Sequence, residues 1–118
     1  MPIREHEFSR IGLLSELPGE QLHRLSQRMR REHVPAGATI VKEGDEGERF
    51  YVVLSGMLAV SQAWLGARRV LKPGDYFGEV ALTMDVPRTA SVRAMTPAVV
   101  ASCDRETFDE LIRPLFSD

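Results

Sequence analysis

The chain has 118 residues, 43% hydrophobic and 27% charged, which suits one soluble domain around a single core. A formal charge of −2 supplies no bulk basic field for nucleic acid. The single cysteine, Cys103, excludes an intramolecular disulfide and any multi-cysteine metal site.

Cys103 ends an apolar run and reads as a buried, inert thiol, so the reducing cytoplasm is the natural compartment. The N-terminus, Met1-Pro2-Ile3-Arg4-Glu5-His6-Glu7, has no apolar core of the signal-peptide kind. No apolar run approaches the roughly 20 residues of a membrane helix, so no membrane insertion is expected. The basic groups Arg28-Met29-Arg30-Arg31 and Arg68-Arg69 read as solvated faces.

In chain order, residues 1–31 read as helical. Ile11, Leu13 and Leu14 open an apolar stretch that Leu17-Pro18-Gly19 stops. Leu22, Leu25 and Met29 then recur at helical spacing, which predicts an amphipathic helix from Pro18 to Arg30, with Pro18 in its first turn. From Glu32 the period changes, and residues 32–103 read as β-structure. Short runs rich in Val, Ile, Thr and Tyr alternate with Gly and Pro breaks, predicting strands near 31–34, 39–43, 49–55, 57–63, 68–72, 89–95 and 98–103. This pattern predicts a mainly β fold, a jelly-roll barrel of about eight short strands flanked by helices. A second helix over 104–113 follows, capped by Asp104, with Phe108, Leu111 and Ile112 on its apolar face. Arg113-Pro114 ends it, and Leu115 to Asp118 are too few for another helix. The whole of 1–118 is one domain on this reading.

The stretch 77–88 breaks the strand rhythm and is the place to look for function. Phe77-Gly78-Glu79-Val80-Ala81-Leu82-Thr83-Met84 has the character of a short helical turn stopped by Pro87. Unpaired N–H groups at its start suit an anion. Gly78, Ala81 and Ala90 are small and let a ligand approach the backbone, and Arg88 offers a planar donor fork to phosphate oxygens. Glu79 beside a phosphate needs a donor of its own, which a ribose hydroxyl would supply. A bland alternative is an ion pair between Glu79 and Arg88 with tight packing of the small residues.

The segment Phe77 to Val92 resembles the phosphate-binding cassette of cyclic-nucleotide-binding domains. Upstream, Ile40-Val41, Gly44-Asp45, Gly47, Phe50-Tyr51-Val52-Val53 and Gly56 resemble the family's first-hairpin pattern. The resemblance runs from about Leu14 to Ile112. It implies a module that binds cAMP or cGMP and needs no cofactor. It implies that Glu79 accepts the ribose 2′-hydroxyl with help from the Gly78 backbone. Arg88 would bind the cyclic phosphate with N–H groups of Ala81 and of Thr89 or Ala90. Leu82 would pack the cassette onto the barrel, and Gly44, Gly56 and Gly74 would be turn glycines. Phe77, Val80 and Pro87 complete the implied ligand-binding set. Family members usually continue into a long lid helix, so this chain resembles a sensor module of a larger signalling protein, or one whose lid comes from elsewhere. Its effector domain or partner protein is not named by the sequence.

Three other readings compete. A cupin-type metal enzyme needs converging ligands, and His6, His23 and His33 are scattered. The sensor half of a transcription regulator would need a helix-turn-helix that these residues do not contain. A module that kept the fold and lost the ligand has no use for both Glu79 and Arg88.

Overall fold

The computed structural model describes residues 3–63 and 65–116. Met1, Pro2, Trp64, Ser117 and Asp118 lie outside the described residues, and of the Arg68-Arg69 pair only the Arg69 side chain is described. Eight strands are β1 (Arg30–Val34), β2 (Thr39–Val41), β3 (Arg49–Ser55), β4 (Leu58–Gln62), β5 (Gly66–Leu71), β6 (Tyr76–Phe77), β7 (Ser91–Ala94) and β8 (Ala98–Asp104). They form two four-stranded sheets, ordered β1-β8-β3-β6 and β2-β7-β4-β5, with every pairing antiparallel. This is jelly-roll topology. The expected barrel is therefore two facing sheets, with no ladder joining one to the other among the described residues.

The strand β3 explains how three layers form. Its run Phe50-Tyr51-Val52-Val53 is buried throughout, because both faces of its sheet are covered. Tyr51 and Val53 share a cluster with Val41, Leu58, Leu71 and Val92 of the opposite sheet. Phe50 and Val52 point the other way, into a second cluster with Phe8, Leu14, Leu25, Phe108 and Ile112 of the helical segments. Alternation at period two thus feeds two cores from one strand.

The helical layer differs in detail from expectation. The helix α1 spans Gly19–Arg28, with Pro18 as its extended N-cap rather than inside the first turn. Arg30 and Arg31 already belong to β1. Before α1, Glu5–Arg10 forms a 3-10 turn, and Ile3 and Phe8 are buried. Arg31 pairs with Glu7 at 2.6 Å, which ties that turn to β1, while Arg28 pairs with Glu110 at 2.9 Å. These arginines are engaged rather than merely solvated. Cys103 is fully buried, and burial pushes its thiol up to about 12.

The C-terminal helical segment starts as α3 (Arg105–Thr107), widens to a π turn over Phe108–Ile112 and tightens to a 3-10 turn over Arg113–Phe116. Helical structure thus runs past Arg113-Pro114. Proline is tolerated near the start of a new turn, where its missing N–H is no loss. As expected, Asp104 caps the segment, its carboxylate accepting from the Thr107 N–H at 2.9 Å. That backbone hydrogen bond holds the Asp104 carboxyl below its ordinary value. A lowered folded-state value means the stabilisation is full above the ordinary aspartate range and is lost as pH falls through the folded value. Asp104→Ala is expected to cost about 1 kcal/mol near neutral pH. In urea titrations, the gap between wild type and variant should narrow on acidification.

Candidate functional site

The cassette begins where β6 ends. Gly78 caps the helix α2 (Glu79–Met84) in the left-handed region at φ 94°, open to glycine with little strain. A Cβ at Gly78 would stand 2.9 Å from both the Arg49 carbonyl oxygen and Arg88 Nη1. The helix ends at Asp85, left-handed at φ 53°, two residues before the expected stop at Pro87. Six residues are too few for a large macrodipole, so α2 offers mainly the unpaired N–H groups of its first turn.

The chain then returns through Arg88, whose backbone is clamped to the β2–β3 turn. The Arg88 N–H donates to the Asp45 carbonyl at 2.8 Å, and Gly44 N–H donates to the Arg88 carbonyl at 2.9 Å. Ser91 Oγ accepts from the Glu43 N–H at 2.9 Å, and the Gln62 amide donates to the Thr89 carbonyl at 2.9 Å. The Gly44-Asp45 pair and the cassette, distant in sequence, are one hydrogen-bonded unit.

The Arg88 side chain is 7% exposed. Nη2 donates to the Arg49 carbonyl at 2.9 Å and Nη1 to the Gly78 carbonyl at 3.2 Å. Its guanidinium lies 5.9 Å from the centre of the Tyr51 ring, which stacks flat on Phe77 at 4.8 Å. All these partners are neutral, and no ion pair to Arg88 occurs among the described residues. Burial pulls its ionisation below the ordinary arginine value, an effect that Tyr51 and Glu48 oppose. Glu48 pairs instead with Arg105 at 3.5 Å. The Glu79 carboxylate, at the first position of α2, is part-buried and has no donor among the described residues. The bland reading of a Glu79–Arg88 ion pair is therefore excluded.

Beside these groups opens a cavity of about 560 Å³, counting space open to solvent. Of the expected set, Phe77, Gly78, Glu79, Val80, Ala81, Arg88, Thr89 and Ala90 line it. Leu82 and Pro87 do not. Leu82 is fully buried in the helical-side core with Phe50, Val52 and Phe108, so it anchors α2 to sheet and helix together. Pro87 is exposed and lines a separate groove with Glu46, Glu48 and Arg105. The three histidines are exposed and lie on separate elements: His6 in the first 3-10 turn, His23 in α1 and His33 in β1.

A sequence profile described as Cyclic nucleotide-binding domain matches residues 31–114. The chain belongs to the cyclic nucleotide-binding domain family. It is 39% identical over 104 residues to a cAMP-dependent protein kinase regulatory subunit of Debaryomyces hansenii, covering 88% of this chain and 23% of that protein. It is 34% identical over 114 residues to the cGMP-dependent protein kinase egl-4 of Caenorhabditis briggsae, covering 92% and 15% respectively. The regulatory domain of Toxoplasma gondii PKA, solved with cAMP, matches with a TM-score of 0.90 at 27% identity, over 94% of this chain and 44% of that one. The chain thus spans less than a quarter of the length of these two curated relatives.

In this cyclic nucleotide-binding domain, sequence reasoning missed the far wall of the cavity: Val41, Val60, Arg69 and Val92. Register carries the signal, since Val60 stands opposite Arg69 and Val92 in the ladders. It also missed Tyr51 as the floor under Arg88, and Gly47 as a spacer. A Cβ on Gly47 would meet Ala81 Cβ at 2.5 Å and Arg88 Cζ at 3.1 Å. Gly47→Ala is expected to destabilise the fold by about 1–3 kcal/mol through overpacking. Chemical denaturation measures it, and Gly12→Ala, with nothing within 4 Å of its Cβ and, like Gly47, no positive φ, separates crowding from the general effect of replacing glycine by alanine.

Proposed function

We propose that this chain binds cAMP or cGMP reversibly in the cavity between the cassette and strands β4 and β5. It acts there as a regulatory sensor and not as a catalyst. The observation that carries the reading is Arg88, a buried guanidinium with neutral partners only, close to a carboxylate that lacks a donor. A cyclic phosphate supplies the missing anion. The adjacent ribose 2′-hydroxyl supplies the missing donor to Glu79. N–H groups of Ala81 and of Thr89 or Ala90 add to the phosphate contact, and Phe77, Gly78 and Val80 close around the sugar. Leu82 and Pro87 hold the cassette's shape without touching ligand.

The relatives support a role as one module of a larger cytoplasmic signalling protein, with the ligand shifting a population that an effector reads. No helix among the described residues is long and apolar enough to cross a membrane.

Calorimetric titration with cAMP and then cGMP tests the reading directly. Arg88→Ala should lose roughly tenfold or more in affinity, since a desolvated charge-assisted hydrogen bond is worth about 1.5–3 kcal/mol. Arg88→Lys should recover only part, because an ammonium lacks the planar fork. Unchanged affinity in Arg88→Ala would put the phosphate elsewhere.

Glu79 should discriminate the sugar. Under a bound nucleotide that lacks the 2′-hydroxyl its carboxylate would be covered and left unpaired, a cost of about 1–3 kcal/mol or more. Wild type should prefer cAMP over 2′-deoxy-cAMP, and Glu79→Ala should nearly abolish that preference. The same preference in both proteins refutes the assignment.

A further inference from the structure

The last turn of α2 leaves carbonyl groups that its own helix cannot satisfy. The Ala81 carbonyl accepts from the Asp85 and Val86 N–H groups. The Leu82 and Thr83 carbonyls are taken by one side chain from the terminal helical segment: Arg113 Nη2 donates to Leu82 at 2.7 Å and Nη1 to Thr83 at 3.3 Å. Asp109, one turn earlier, holds this guanidinium from behind, with Nε to Oδ1 at 2.9 Å. The Phe108 ring centre lies 5.6 Å away. Arg113 stands where the π turn ends and the 3-10 turn begins. A change of helical pitch at that junction would swing its donor fork directly.

We propose that Arg113 is a positioning residue for the nucleotide cavity: it fixes the end of α2 to the terminal helical segment and so sets where Glu79, Val80 and Ala81 stand. This rests on the reading of the cavity as a cyclic-nucleotide site. A planar fork that spans two successive carbonyls fixes both position and tilt of α2, which a single ammonium cannot do. Linkage makes the tie reciprocal: ligand held by α2 restrains the terminal segment as much as that segment restrains ligand. Leu82 shares an apolar cluster with Phe108, and Arg105 pairs with the Asp85 carboxylate at the α2 C-cap at 3.5 Å, but among the described residues Arg113 alone in the terminal segment donates to the α2 carbonyls.

The test uses the full chain with Arg113→Ala, Arg113→Lys and Asp109→Asn. It combines cAMP and cGMP titration, thermal unfolding, and amide hydrogen exchange over 79–84 and 108–116. Arg113 is partly exposed, so Arg113→Ala should weaken binding by roughly three- to tenfold. Nucleotide should still slow exchange over 79–84 in that variant, but no longer over 108–116. Arg113→Lys should recover part of both effects, and Asp109→Asn should fall between wild type and Arg113→Ala. Wild-type affinity together with wild-type protection over 108–116 in Arg113→Ala overturns the positioning role alone. So does weakened binding that merely tracks lost thermal stability, with ligand-dependent protection intact. If wild type binds neither nucleotide, the cavity reading itself fails and takes the positioning role with it.

Discussion

Arg88 carries a positive charge at 7% exposure, and the groups in contact with it are two carbonyl oxygens and the face of Tyr51. Taking a charge out of water costs several kcal/mol unless a counter-charge returns it. Carbonyl dipoles and an aromatic quadrupole return part of that. The remainder is an unmet electrostatic demand, located at the wall of a cavity and pointed at whatever anion enters. A fold that needed Arg88 only for stability would have paired it with a carboxylate. Glu48 is in electrostatic range and instead engages Arg105, and Glu79 shares the cavity without closing on it.

Much of the local architecture serves to hold that cation in place. The β2–β3 turn grips the Arg88 backbone from one side, through Gly44 and Asp45. Gly47 and Gly78 have no side chains, which is what lets α2 and the guanidinium close on β3. Tyr51 can act as the floor because strand alternation turns it inward, while Phe50 and Val52 face the helices. The two cores are thereby linked through β3: one lies under the site, the other joins β3 to the helical segments packed against it. Arg105 reinforces the link, donating to the Gly47 carbonyl from the first turn of the terminal segment.

What the sequence disclosed follows from how each feature is encoded. The seven longer strands and the cassette were legible because alternation, turn glycines and a break in rhythm are local patterns. β6 was not, since two residues between Asp75 and Gly78 are too short to show any period. Nor was the role of Ile3 and Phe8: a 3-10 turn has no long amphipathic stripe, and their burial depends on a surface built by distant residues. The cavity's far wall was hidden because Val60 and Arg69 meet only through strand register. Leu82 and Pro87 show the limit of a linear motif. Both lie inside the cassette, yet one serves the core and the other an outer groove.

Charge also narrows which nucleotide suits the cavity. Its lining holds two arginines, Arg69 and Arg88, and one carboxylate, Glu79, an excess of a single positive charge. A cyclic phosphodiester carries one negative charge and neutralises that excess. A linear nucleotide carries two or more, and the surplus would sit beside Glu79 in a part-desolvated space, where like charges repel more strongly than in water. Its phosphate would also hang on a rotatable bond rather than on a ring fused to the sugar, so binding would have to freeze extra freedom. In the proposed site the carboxylate would therefore do more than accept a hydrogen bond from the ribose hydroxyl. On the proposed assignment it sets an upper limit on ligand charge: Arg88 attracts the phosphate of a cyclic monophosphate, while Glu79 disfavours the more highly charged linear nucleotides, which are far more abundant in a cell.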